Sequence, residues 1–168
     1  MEILFDDVAI LTKVKELAEQ ISVDHVYDSR NTLPPVLICI LNGSIHFFSD
    51  LVRSMSIDCE IDFLRLKSYE GQDNSGGIKC LKGLELDLKG KRVYIVDDIC
   101  DSGATMLEAL FMVNSRMAEE VKVVTLLKRR NGVGLTDFYG FEIDDQWVYG
   151  YGLDNNGLKR NENRIYKL

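Results

Sequence analysis

The sequence predicts an α/β fold in which a mainly parallel, twisted sheet is flanked by helices, and three observations carry that expectation. An apolar run, a loop of small residues and a helically spaced apolar stripe follow one another twice, over residues 36–55 and again over 93–117. The runs at 36–41 and 93–96 are rich in Val and Ile and do not alternate with polar residues, the pattern of strands covered on both faces. Strand-like and helix-like stretches then alternate over most of the chain, with no internal repeat, coiled coil or low-complexity tract. The 168 residues suit one domain, 1–168, with a full core. Right-handed connections between parallel strands are expected, with ligands at the carboxyl ends of the strands.

Each element has its own warrant. Ile10, Val14, Leu17 and Ile21 recur at helical spacing among Lys13, Lys15, Glu16 and Glu19, which predicts an amphipathic first helix capped by Asp6 or Asp7. Pro34-Pro35 closes the linker behind it. Residues 36–41 form a strand, Asn42-Gly43-Ser44 a turn, and Phe48, Leu51, Val52 and Met55 the apolar face of a second helix. Ile57, Cys59, Ile61 and Phe63 alternate with Asp58, Glu60 and Asp62, which predicts a strand with one wet face. The polar, glycine-rich stretch 71–77 lies between two strand-like flanks, Phe63-Leu64-Arg65-Leu66 and Ile78-Lys79-Cys80-Leu81. It is expected to be the flexible tip of a long hairpin. Lys89-Gly90-Lys91 is a turn into the strand at 93–96. Met106, Leu110, Val113 and Met117 form a core-facing helical stripe. Residues 121–127 form a further strand ending in Lys128-Arg129-Arg130, and Trp147-Val148-Tyr149-Gly150-Tyr151 a last one.

Composition narrows the function classes. A net charge of −7 argues against general binding to nucleic acid or to an anionic membrane. No apolar run approaches the ~20 residues that a membrane-crossing helix needs. The N-terminal Met1-Glu2-Ile3-Leu4-Phe5-Asp6-Asp7 is acidic and lacks the basic start of a secretory signal. Cys39, Cys59, Cys80 and Cys100 are scattered without a CxxC pair, which reads as reduced thiols in a cytoplasmic protein. With only two histidines, His25 and His46, a histidine-rich metal site is excluded, and neither takes a role. A metal here would be held by oxygen ligands, which points to Mg²⁺.

The chemistry concentrates in Val93-Tyr94-Ile95-Val96-Asp97-Asp98-Ile99-Cys100-Asp101-Ser102-Gly103-Ala104-Thr105. Asp97 and Asp98 stand where the buried strand is expected to leave the sheet. Asp101 to Thr105 then supplies small residues, two hydroxyls and a glycine. Such a loop lets backbone N–H groups converge on one anion at a helix N-terminus. A cation or sugar site beside a phosphate site is the chemistry of a phosphorylated ribose.

This thirteen-residue stretch resembles the phosphoribosyl-pyrophosphate (PRPP) signature of the type I phosphoribosyltransferases. Leu41-Asn42-Gly43-Ser44, Arg65-Leu66-Lys67-Ser68-Tyr69, Thr125-Leu126-Leu127 with its basic run, and Gly150-Tyr151-Gly152-Leu153-Asp154 follow in that family's order. Together they span about residues 36–160 and are similar in particular to the hypoxanthine-guanine branch. The resemblance implies the type I phosphoribosyltransferase fold, with a small hood and a hairpin loop that closes over the site. It implies that PRPP and a 6-oxopurine are the substrates, that Mg²⁺ is the cofactor, and that the chain forms a homodimer or homotetramer.

The resemblance also distributes roles. Asp97 and Asp98 would address the ribose hydroxyls and metal, with Asp154 a further metal candidate. Asp101, Ser102, Gly103, Ala104 and Thr105 would hold the 5′-phosphate, and Asp101 would act as general base near the purine N7; a purely loop-capping Asp101 is the alternative. Pyrophosphate falls to Asn42, Gly43, Arg65, Lys67, Ser68, Tyr69 and Arg160, with Gly43 letting the backbone approach an anion. The purine falls to Lys128 or Arg129, Trp147, Val148 and Asp154. Three positions depart from the family pattern: Asp97 where Glu is common, Asn42 where Lys is frequent, and Arg129 where a Lys meets the 6-oxygen. A one-residue shift would present Lys128 instead. The competing readings are a nucleotide-sensing regulator on the same fold, a receiver domain, and an enzyme for another base such as xanthine or adenine. A receiver domain leaves the loop at 101–105 unexplained.

Overall fold

The computed structural model describes residues 2–30, 32–69 and 77–168. In chain order these form strand β1 (Glu2–Phe5), helix α1 (Asp7–Tyr27), β2 (Val36–Leu41), α2 (Ile45–Ser54), β3 (Glu60–Tyr69), β4 (Gly77–Lys82), β5 (Arg92–Cys100), α3 (Ala104–Asn114), β6 (Glu120–Arg129), β7 (Phe138–Ile143), β8 (Val148–Tyr149) and β9 (Ile165–Lys167). Asp6 caps α1, its carboxylate accepting the Ala9 N–H at 2.8 Å. β3 and β4 make the expected hairpin; its expected tip, residues 71–76, lies outside the described residues.

Six strands form one sheet in the order β4-β3-β2-β5-β6-β7. All neighbours run parallel except the β3–β4 hairpin. The two central strands are the two runs that do not alternate in sequence, and both faces of each are covered. Leu37, Cys39, Tyr94, Val96, Val124 and Leu126 meet Ile10, Val14, Leu17 and Ile21 of α1 and Phe47, Phe48 and Leu51 of α2. Val36, Ile38, Ile40, Val93, Ile95 and Val123 point the other way, toward Met106, Ala109 and Val113 of α3. Each fully buried Leu, Ile or Val contributes about 1.5–3 kcal/mol by leaving water. At the N-terminal end of the sheet, Arg92 is buried among Asp24, Asp28 and Glu120. Tyr94 Oη and Lys122 Nζ each reach Asp24 at 2.7 Å and pin α1 there. A three-stranded antiparallel sheet, β1-β9-β8, forms the hood.

Several local expectations are corrected. The strand expected from residue 57 begins at Glu60, and its wet face is wet only in part: Asp58 is exposed and Glu60 half-buried, but Asp62 is 4% exposed while Ile61 is 44%. Asp62 is inside because it accepts the N–H groups of Phe63 (2.7 Å), Glu85 (2.7 Å) and Leu86 (3.0 Å) and so closes the loop after the hairpin. β5 does not leave the sheet at the acidic pair. It pairs with β6 as far as Cys100, so Asp97 and Asp98 are strand residues. Met117 is not core: α3 stops at Asn114, and Met117 is exposed with a positive φ of 57°. The expected last strand shrinks to Val148–Tyr149 and joins the hood rather than the main sheet. β7 was not expected at all, because Gly140 interrupts its apolar pattern. No helix among the described residues is long and apolar enough to cross a membrane.

Candidate active site

Strand order creates the site. From β2 the chain moves to β3 on one side, and from β5 it moves to β6 and β7 on the other. The loops after β2 and β5 therefore diverge, leaving a crevice at the carboxyl ends of two adjacent strands. Two adjoining cavities of about 290 and 200 Å³ occupy it. The first is lined by Gly43, Asp97, Asp98, the loop after β5 and Arg160. The second lies between Arg129, Trp147, Val148 and Leu153. Asp98, Ile99, Asp101 and Asp154 line both, so a ligand in one cavity meets a ligand in the other at these residues.

The acidic pair is held by its own backbone. Asp97 Oδ1 accepts the Asp98 N–H at 3.0 Å, and Asp98 Oδ1 accepts the Ile99 N–H at 2.7 Å. Burial, with the charge of Asp98 beside it, pushes the Asp97 carboxyl well above the ordinary carboxylate range; burial pushes Asp98 up as well. Among the described residues neither carboxylate makes an ion pair, and the Arg160 charge across the first cavity draws Asp98 back down. Gly43 presses on it: a Cβ at that position would lie 1.7 Å from Asp98 Oδ2. Gly43 is glycine here to make room for a carboxylate, whereas the sequence suggested room for an anionic ligand.

The loop from Asp101 enters α3 through Gly103, whose φ of +81° places it in the left-handed region. Gly103 also leaves room for Val133, since a Cβ would lie 2.7 Å from Val133 Cγ2. No side chain caps this helix start. Ser102 Oγ approaches the Ala104 N–H at 3.5 Å, and Ser102 and Thr105 line the first cavity while Ala104 is exposed. The first-turn N–H groups are therefore open to an anion.

The hood closes the other wall. Arg160 donates to the Gly152 carbonyl at 2.6 Å and to Asp154 Oδ1 at 2.8 Å, and Asp154 Oδ2 accepts the Gly157 N–H at 2.8 Å. Gly152, with φ +101°, lies so close to the β2 loop that a Cβ would fall 1.9 Å from the Gly43 carbonyl oxygen. Tyr151 anchors the same turn to α2 through a 2.5 Å hydrogen bond to Asp50. Neither Gly152 nor Tyr151 was assigned a role from sequence, although the Gly-Tyr-Gly spacing is the signal that points to them.

The structure separates the two basic candidates at the end of β6. Arg129 lines the second cavity, with its Nε 2.8 Å from Asp101 Oδ1. Lys128 points away, its Nζ 4.6 Å from the centre of the Tyr139 ring. Adjacent strand residues face opposite ways, so only one can serve the cavity. Arg65, Lys67 and Ser68 are exposed on β3 and do not line either cavity, although Arg65 sits opposite Leu41, which does. Asn42 is also exposed, and the Tyr69 backbone pairs with Gly77 in the hairpin. Among the described residues no three His, Cys, Asp or Glu side chains converge into a metal cage.

The chain is similar to known proteins over most of its length. The family model described as phosphoribosyl transferase domain matches residues 1–156. A hypoxanthine-guanine phosphoribosyltransferase of Aquifex aeolicus is 34% identical over 172 aligned residues, covering 100% of this chain and 94% of that protein. A hypoxanthine-guanine-xanthine phosphoribosyltransferase of Tritrichomonas foetus is 30% identical, over 95% of this chain and 86% of that one. A crystal structure of a hypoxanthine-guanine phosphoribosyltransferase from Bacillus anthracis superposes with a TM-score of 0.90 at 32% identity, covering 100% of this chain and 98% of its own.

Proposed function

The chain belongs to the phosphoribosyltransferase family, and from that premise we propose that its two cavities bring PRPP and a 6-oxopurine together for transfer. It is a pentosyltransferase of purine salvage, giving IMP from hypoxanthine and GMP from guanine with release of pyrophosphate. The observation that carries the reading is the shared wall: the N9–C1 bond forms, and the C1–O bond to pyrophosphate breaks, where Asp98, Ile99, Asp101 and Asp154 face both cavities.

In this reading the uncapped start of α3, with Ser102, Gly103, Ala104 and Thr105, holds the 5′-phosphate. Asp97 and Asp98 address the ribose. Trp147 stacks on the purine, with Val148 beside it, and Arg129 donates to the 6-oxygen. Lys128 is the weaker candidate for that contact because of its place over Tyr139. Asp101 takes the proton from N7 as N9 attacks. Asn42, Gly43, Arg65, Lys67, Ser68, Tyr69 and Arg160 attend the pyrophosphate; of these, Gly43 and Arg160 border the cavity itself.

The donor set fits Mg²⁺. Asp97, Asp98, Asp101 and Asp154 line the first cavity against the Arg160 guanidinium, so a polyphosphate would meet net negative charge there unless a cation accompanied it. One or two carboxylates completed by substrate phosphates is a usual Mg²⁺ arrangement. Asp97 and Asp98 would hold it beside the ribose, and Asp154 would hold or orient a second Mg²⁺. When bound it supplies charge neutralisation on the leaving pyrophosphate.

The same reading makes residues 1–168 one working domain in the cytoplasm, with its four cysteines free. It also makes the chain a homodimer or homotetramer. The exposed Leu107 and Phe111, one turn apart on α3, support self-association, and sedimentation velocity tests it. The decisive experiment measures pyrophosphate release from PRPP and Mg²⁺ with hypoxanthine, guanine, xanthine, adenine or orotate. Release with hypoxanthine and guanine is expected; no release with any base overturns the reading.

A further inference from the structure

We propose that Arg129 is a positioning residue that ties three walls of the purine-side cavity together and holds Asp101 in register with Trp147. The inference rests on the reading of Asp101 and Trp147 given above. Arg129 is the last residue of β6, and its side chain is 13% exposed. Its Nε donates to Asp101 Oδ1 at 2.8 Å, while its Nη1 donates to the carbonyls of Asp144 (2.8 Å) and Gln146 (3.2 Å). Those carbonyls belong to the link between β7 and β8, and Gln146 immediately precedes Trp147.

Both groups need such support. The Asp101 side chain is 66% exposed, and its only hydrogen bond among the described residues is the one from Arg129. Trp147 is 59% exposed, so the core does not fix its ring; its backbone has one further tie, from the Leu168 N–H to the Trp147 carbonyl at 3.1 Å. A guanidinium presents donors on several edges of one rigid plane and can satisfy the carboxylate and both carbonyls at once. A single ammonium on a flexible stem cannot reach both sides. The arginine at this position therefore sets the distance between the base and the stacking ring, and it leaves Asp101 Oδ2 free for the purine.

Trp147 is the only tryptophan in the chain, so its fluorescence reports the link directly. The test compares wild type, Arg129→Met, Arg129→Lys, Asp101→Asn and the Arg129→Met/Asp101→Asn double variant. In Arg129→Met the fast component of the Trp147 anisotropy decay should grow, and kcat should fall roughly tenfold with KM for PRPP unchanged. In the Asp101→Asn background the same change should lower kcat by less than about twofold, because its effect on kcat passes through Asp101, while the lost contact with the purine 6-oxygen raises KM for the purine equally in both backgrounds. Arg129→Lys keeps stem and charge, so it serves if the Met variant does not fold. It should free Trp147 equally and lower kcat less. An unchanged Trp147 decay in both variants overturns the proposal, and so does a full multiplicative loss in the double variant. Absence of turnover in wild type would instead sink the assigned reaction, while the anisotropy decay would still judge the tie.

Discussion

Replacing Gly43 by alanine should disable the enzyme with only modest loss of stability. The backbone at Gly43 is not in the left-handed region, so the penalty is steric. The new Cβ would lie 1.7 Å from Asp98 Oδ2 and 2.7 Å from Asp98 Cγ. Carbon contacts relax near 3.5 Å, so the loop and the carboxylate must part by roughly 1.5–2 Å. Neither can retreat freely. Asp98 is held by the Ile99 N–H at 2.7 Å, and the far side of Gly43 is blocked by Gly152. Misplacement of a reacting group by about 1 Å costs on the order of 10²-fold in rate, and overpacking of this kind costs about 1–3 kcal/mol in stability. The assay is pyrophosphate release against PRPP concentration, with thermal melting followed by near-UV circular dichroism. We expect kcat/KM to fall at least ~10²-fold and the melting temperature to drop by about 5 °C. Gly90→Ala is the control: its φ of +68° is strained, but nothing lies within 4 Å, so stability should fall with activity intact. A folded Gly43→Ala enzyme within about threefold of wild type would refute the reasoning.

Three further outcomes follow from the same geometry. Asp101→Asn should retain nucleotide binding by calorimetry while turnover falls ~10²-fold or more; unchanged turnover would remove Asp101 as the base. Trp147→Ala should raise KM for the purine roughly tenfold and leave KM for PRPP within about twofold, since only the stacking face is lost. A purine KM equal to wild type would show that the ring does not stack. Asp62→Asn should cost about 2 kcal/mol at neutral pH by weakening a buried carboxylate's bonds to three N–H groups. Burial alone would raise the Asp62 carboxyl, but the Leu86, Glu85 and Phe63 amides, with Lys82 nearby, bring it below its ordinary value. Its contribution is therefore present above the unfolded-state value of about 3.9 and is lost as pH falls through the lower folded value. Urea denaturation of both proteins from pH 7 to pH 3 should show the difference shrinking in acid; a gap as large at pH 3 as at pH 7 contradicts the assignment.

Elements with a period of their own were legible without the fold. α1, β2, α2 and the start of β5 carry their register in residues that touch their own neighbours. Elements that exist only because another strand pairs with them were not legible. β1, β7 and β9 are short or interrupted, and β8 is two residues of an expected five. Asp62 reads as a solvated residue until the loop at 85–86 folds over it, because its partners are 23 and 24 residues away.

The sequence by itself determined the chemistry at the end of β5: an acidic pair, a small-residue loop and a helix start are contiguous, and short-range backbone geometry converts them directly into a site. Tertiary structure decided which distant groups complete that site. It turned Arg129, and not Lys128, toward the second cavity, because the face of β6 that meets the cavity depends on pairing with β5 and β7. It assigned Gly43 to Asp98 and Gly152 to Gly43, because close approach between loops far apart in the chain is a property of packing and leaves no mark in local periodicity. And it joined Asp101 to the segment carrying Trp147 through one guanidinium, a contact between residues 28 apart that composition and spacing do not encode.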